Sequence, residues 1–183
     1  MNRTEFVARL RALDACAESL EWIAQTPGEP ADLWAACPRG DWLIWLLAAM
    51  DYDARVMRHI ACDCAEDVLP IYERHYPNDR RPREAIAVAR RYADGEATEE
   101  ERVAAWDAAR VAAWDTAMDA GGAAAWDAAR AAAWAAAWDA ASAAAWGAAR
   151  AAAGDAAWAR QAGMVRARVT WADVEGQLDR AGR

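Results

Sequence analysis

From Val103 to Ala162 the chain is built of three twenty-residue units, each opening on a near-identical octet. The octets are Val103-Ala104-Ala105-Trp106-Asp107-Ala108-Ala109-Arg110, then Ala123 to Arg130, then Ala143 to Arg150. Inside each unit runs a tetrad of two alanines, a variable position, and then aspartate or alanine. The variable position reads Trp106, Arg110, Trp114, Met118, Gly122, Trp126, Arg130, Trp134, Trp138, Ser142, Trp146, Arg150, Gly154, Trp158. A repeat of this kind sets the architecture before any local feature does. Alanine is the strongest helix former, so the second half of the chain has to be helical.

Periodicity then limits how those helices lie. An α-helix turns about 100° per residue, so each step of four overshoots a full turn by about 40°. Thirteen such steps separate Trp106 from Trp158, and on one straight helix the tryptophan stripe would wind right round. The segment is therefore expected to break, first at Gly121-Gly122 and next between Gly147 and Gly154. Broken helices let the indoles turn toward a core, with alanines permitting close helix approach. An interface is the alternative place for them, because exposed indoles invite association. Trp106/Arg110, Trp126/Arg130 and Trp146/Arg150 share a spacing of four that permits cation–π contacts worth about 0.5–1 kcal/mol each. The pattern also has a genetic explanation. Tryptophan has the single codon TGG, and Arg, Gly, Ser and Met each lie one base away, so expansion of a twelve-base repeat followed by drift would produce it.

The first hundred residues read as amphipathic helices. Phe6, Leu10, Leu13, Ala17, Leu20 and Ile23 give one buried stripe from Thr4 to about Ala24. Pro27 to Pro30 stops it, and Pro30 opens a short helix through Leu33 and Trp34. Cys37-Pro38-Arg39-Gly40 is a turn, with Asp41 as N-cap of an apolar helix from Trp42 to Leu47 in which Trp42 and Trp45 are core. A helix from about Asp53 runs past His59 and Cys62 and is ended or kinked at Pro70. Pro82 begins another that stops near Gly95. Thr98 and Glu101 form a capping box at the start of the repeat, and Thr170 to Asp173 starts a last short helix through Val174 and Leu178.

Charge and composition remove several function classes. The chain has 21 Lys+Arg, all of them arginine, against 29 Asp+Glu, for a net charge of -8. That sign opposes a phosphate backbone and suits a basic protein partner, so no nucleic acid is expected. Met1 to Leu20 has no apolar signal-peptide core, and uncharged runs such as Ala140 to Ala149 are too short to span a bilayer. Cys16, Cys37, Cys62 and Cys64 are too sparse for a disulfide scaffold. The expectation is a cytoplasmic protein with no membrane contact and reduced thiols.

No constellation reaches the standard of an active site. His59 and Cys62 share a helix face, but Cys62 and Cys64 point roughly 200° apart, so one zinc cannot take both on an unbroken helix. A nucleophile built from Cys37 or Cys62 with His59 or His75 has no supporting local pattern. Phosphate loops and nucleophile elbows are missing. Arg80, Arg81 and Arg83 make a small basic cluster that a solvated loop and helix start explain. No catalytic residue, cofactor or metal is expected.

Several stretches are similar to a bacterial family known as the putative immunity protein family of polymorphic toxin systems. They are Ala12 to Cys16, Trp34 to Leu47 with Cys37-Pro38-Arg39-Gly40-Asp41-Trp42 as the most specific part, Ala61 to Ala65, Arg81-Pro82, Gly95 to Thr98, and Val165 to Trp171. Relatives commonly carry tyrosine where this chain has tryptophan. The resemblance implies an all-helical protein that binds and blocks a cognate toxin without catalysis.

The expected fold is all-α, an N-terminal helical bundle over 1–97 with repeat helices over 98–168 packed on it and a short helix over 169–183, together one structural domain. Candidate partner-binding residues are Trp106, Arg110, Trp126, Arg130, Trp146 and Arg150. The alternative to toxin binding is a self-associating scaffold that uses the repeat as a homo-oligomer interface.

Overall fold

The computed structural model describes residues 1–117, 123–136, 147–148 and 155–181. These form ten helices, and no strand occurs among the described residues. They are α1 (Arg3–Ala12), α2 (Ala17–Gln25), α3 (Pro30–Ala36), α4 (Gly40–Ala49), α5 (Ala54–His75), α6 (Arg81–Ala93), α7 (Glu99–Ala117), α8 (Ala123–Ala136), α9 (Asp155–Arg168) and α10 (Trp171–Ala181). The fold is all-α. Helix α8 packs against α5, α6 and α7; α9 lies on α4 and α5; α10 meets α3. One apolar core runs from Phe6 to Leu178.

Most helix boundaries follow the chemistry read from the sequence. Pro30 occupies the first turn of α3, Asp53 caps α5 by accepting from Val56 N, and both threonine boxes form, Thr98 with Glu101 and Thr170 with Asp173. Five expectations change. The first amphipathic run is two helices: Asp14 takes a left-handed φ of 60°, while Ala15 N donates to Leu10 O and Asp14 N to Arg11 O. That is a Schellman closure made with aspartate in place of glycine. Helix α4 begins two residues earlier, at Gly40, so Asp41 lies in its first turn and binds Arg39 instead of capping. Trp42 and Trp45 are half-buried at the edge of the core, which α4 fills with Leu43, Ile44, Leu46 and Leu47. Pro70 neither ends nor divides α5, which continues to His75.

The fifth change concerns the repeat. It divides into separate helices, but among the described side chains of α7 and α8 the buried apolar ones are alanine, whereas Trp158 of α9 is buried. Ala109, Ala112 and Ala113 of α7 and Ala128, Ala129, Ala131, Ala132, Ala133 and Ala135 of α8 are buried. The helices around them bury small residues as well: Ala61, Cys62, Cys64 and Ala65 on α5, and Ala85 and Ala89 on α6. Small side chains on facing helices let the backbones approach closely, and that leaves no room for an indole at the seam. Trp106 and Trp134 are half-buried, and Trp114 is 70% exposed. Gly147 belongs to the same close packing, because a Cβ there would lie 3.0 Å from the Trp134 ring.

Candidate functional site

The tryptophans of α7 and α8 whose side chains are described are not scattered. Trp106, Arg110, Ala113 and Trp114 of α7 and Arg130, Ala133 and Trp134 of α8 line one surface cleft of about 320 Å³. The two alanines form its floor, since both are buried between the helices. The indoles and guanidinium groups form its walls. Arg110 stacks over Trp106 at 5.5 Å, as the spacing of four predicts, and is bonded to Asp107. Arg130 stacks at 4.0 Å over Trp134, one turn further along α8.

Three of the six candidate residues, Trp106, Arg110 and Arg130, are thus brought together. Trp126 lies within α8, and its side chain is outside the described set; Trp146 and Arg150 lie outside the described residues altogether. Trp114 and Trp134 belong to the cleft but were not among the candidates. Their signal was present in the tetrad, because an arginine can stack on a tryptophan four residues before or four residues after it. Spacing alone does not choose between those directions.

A second surface gathers around the Cys-Pro-Arg-Gly-Asp-Trp stretch. Arg39 makes a two-pronged contact with Asp41, reaches Glu18, and lies over Trp42 at 4.7 Å and Trp158 at 5.4 Å. Its bonds to Asp41, followed by burial working against them, leave the guanidinium pKa raised. Arg166 donates to Cys37 O at 2.8 Å and Trp34 O at 3.3 Å, closing the carbonyl end of α3. A Cβ on Gly40 would lie 2.5 Å from Gln161 Cβ and 2.8 Å from Ala162 N. The motif therefore clamps α4 to α2, α3 and α9. Its chemistry is structural.

The remaining candidates for chemistry are tied into the fold. Burial pushes the Cys62 thiol up to about 12, and its Sγ faces Ile86 O at 3.9 Å, so it is held as a thiol and not as a thiolate nucleophile. Burial also raises Cys64 and, at the end of α3, Cys37. His59 pairs with Asp94, which Arg55 also binds. Among the described residues no three of His, Cys, Asp and Glu cluster in a way that could hold a metal ion. In the basic cluster, Arg81 bridges Asp79 and Asp115, and Arg83 binds Glu73. Asp63 receives both Arg90 and Arg168, joining α5, α6 and α9. No described helix is long and apolar enough to cross a membrane.

Comparison with known proteins places this arrangement. No curated protein and no solved structure matches the chain. A model of the family described as Imm-5 like putative immunity protein matches residues 51–173, about two thirds of the chain. The matched span contains Ala61 to Ala65, Arg81-Pro82, Gly95 to Thr98 and both walls of the cleft, whereas Ala12 to Cys16 and Trp34 to Trp42 precede it. The chain belongs to the Imm-5 like putative immunity protein family.

Proposed function

We propose that this protein neutralises a bacterial toxin by binding it, and that the tryptophan–arginine cleft between α7 and α8 is the contact surface. The family membership over residues 51–173 carries the reading. The cleft supplies the chemistry: Trp and Arg are the side chains that most often anchor protein interfaces, because they combine large contact area with hydrogen bonds or charge. Its alanine floor is rigid, so the walls are largely preorganised and little ordering is required on contact. A net charge of -8 steers the protein toward a basic partner surface. No catalytic step is invoked; the toxin is blocked by occupation.

The test is co-expression with the toxic product of the neighbouring gene. Growth should be rescued and the two proteins should co-purify. Changing Trp106 and Trp134 together to alanine should weaken the complex about 30-fold or more, since two anchors are removed. Lack of rescue would refute the immunity reading. Rescue with undiminished affinity in the double variant would move the contact surface elsewhere.

A further inference from the structure

The exposed face of α7 carries a pattern that shares Arg110 and Trp114 with the cleft and runs on beyond it to Val103 and Asp107. The three large hydrophobic residues that stand exposed among the described residues, Val103, Val111 and Trp114, all lie on this helix. Val103, Asp107, Arg110 and Trp114 follow one another at spacings of four, three and four. At 100° per residue they fall within about 60° of one another, a single stripe on the exposed side of α7 whose Arg110 and Trp114 also border the cleft. Both charged members are well exposed, Asp107 at 51% and Arg110 at 60%. The order along the stripe is apolar, acid, base, apolar.

That order is self-complementary when reversed. If a second α7 lies antiparallel across a two-fold axis between residues 108 and 109, Val103 meets Trp114 of the other copy and Asp107 meets its Arg110. In a two-fold interface each such contact occurs twice, once in each direction. No like charges face each other and no apolar residue faces a charge. The four-three-four spacing is also the one that keeps a seam straight between two packed helices. A parallel pairing would set Asp107 against Asp107 and Arg110 against Arg110, so the charges select the antiparallel arrangement.

We infer that this protein pairs with a second copy of itself through the Val103–Asp107–Arg110–Trp114 stripe of α7, antiparallel and two-fold symmetric. The inference is independent of any toxin. It has a geometric consequence for the cleft. Trp106 lies on the flank of α7 turned toward α8, and the two-fold axis carries that flank onto the same side of the dimer. The two clefts then stand next to each other, with Trp114 and Arg110 at their common edge, and present one longer tryptophan–arginine surface.

Sedimentation equilibrium of the purified full chain over a concentration series tests the pairing. The expected result is a monomer–dimer equilibrium. Asp107→Arg and Arg110→Asp should each raise the dissociation constant about tenfold or more, because each sets like charges opposite one another. Mixing those two variants should restore association, as should combining both changes in one chain. Trp114→Ala should weaken pairing without altering circular dichroism, since its indole is mostly in solvent. A strict monomer at every concentration overturns the inference and assigns the stripe to another occupant. A dimer indifferent to both charge reversals, or one that mixing fails to restore, overturns it as well.

Discussion

Gly40→Ala and Gly163→Ala add the same methyl group to two helices of the same core and should change stability in opposite directions. At Gly40 the new Cβ would lie 2.5 Å from Gln161 Cβ, 2.8 Å from Ala162 N and 3.0 Å from Gln161 C. Two of those three atoms are backbone, so α4 and α9 must move apart to admit it. Overpacking of this kind costs about 1–3 kcal/mol, and contact with backbone puts Gly40 at the upper end. Replacing Gly by Ala in a helix returns at most about 1 kcal/mol, and less in a first turn, where Gly40 sits. The net is a loss of about 2 kcal/mol. At Gly163, inside α9, the Cβ meets nothing within 4 Å. Only the propensity gain remains there, about 0.5–1 kcal/mol. Urea denaturation followed by circular dichroism should therefore separate the two variants by nearly 3 kcal/mol, with the midpoints on either side of the parent protein. In heating experiments the Gly40 variant should melt about 4–8 °C below the parent. A Gly40→Ala protein as stable as the parent would refute the close crossing of α4 on α9, and with it the clamp built from Arg39 and Arg166.

Other expectations follow from the same packing. Native protein should show one fast-reacting thiol, Cys16, and the other three should react only in denaturant, because Cys37, Cys62 and Cys64 are buried; more than one fast thiol in a colorimetric titration refutes this. Asp79 accepts from Arg81, is opposed by burial, accepts from Tyr72, and is held down from 3.8 to about 2. A carboxylate with a depressed folded pKa adds stability above its unfolded pKa and loses it as pH falls through the folded one. Stability should thus drop between pH 3.8 and about 2, and Asp79→Asn should flatten that part of the profile measured by urea titration at each pH. Arg166→Met should cost about 2 kcal/mol by leaving the carbonyls of Trp34 and Cys37 without their charged donor; no change in denaturation midpoint would show that the end of α3 does not depend on it.

What the sequence made legible divides along a physical line. Helix starts written in local chemistry were readable, as at Pro30, Thr98 and Thr170, because each cap is satisfied within four residues of chain. Ends made by aspartate in the left-handed region were not, as at Asp14, since that conformation is a glycine preference and an aspartate gives no sign of adopting it. The cleft was half legible. The tetrad marked Trp106, Arg110 and Arg130, but which indole Arg130 covers depends on where α8 presents its surface, and that depends on α5, α6 and α7 around it.

The rim position of Trp106, Trp114 and Trp134 was not readable for a related reason, whereas Trp158 in α9 is buried as expected. Hydrophobicity ranks an indole above a methyl group for burial, and a single helix considered alone would turn its tryptophans inward. Three helices closing on a fourth obey a different constraint. When α8 has neighbours on several sides, the residues that can occupy its contacts are those that allow the shortest separation, and alanine repeated two or three times in every tetrad satisfies that on nearly every face. The tryptophan position then falls at the rim in α7 and α8, where area can be buried against one wall and left open on the other. A repeat of this composition thus separates two tasks that most helices combine: its alanines hold the fold, and its tryptophans and arginines are left over for contact. It follows that replacing Trp114 should leave the melting temperature almost unchanged while altering association. Replacing Ala129 by leucine should do the reverse, lowering the melting temperature because nothing around that buried methyl can yield without separating helices.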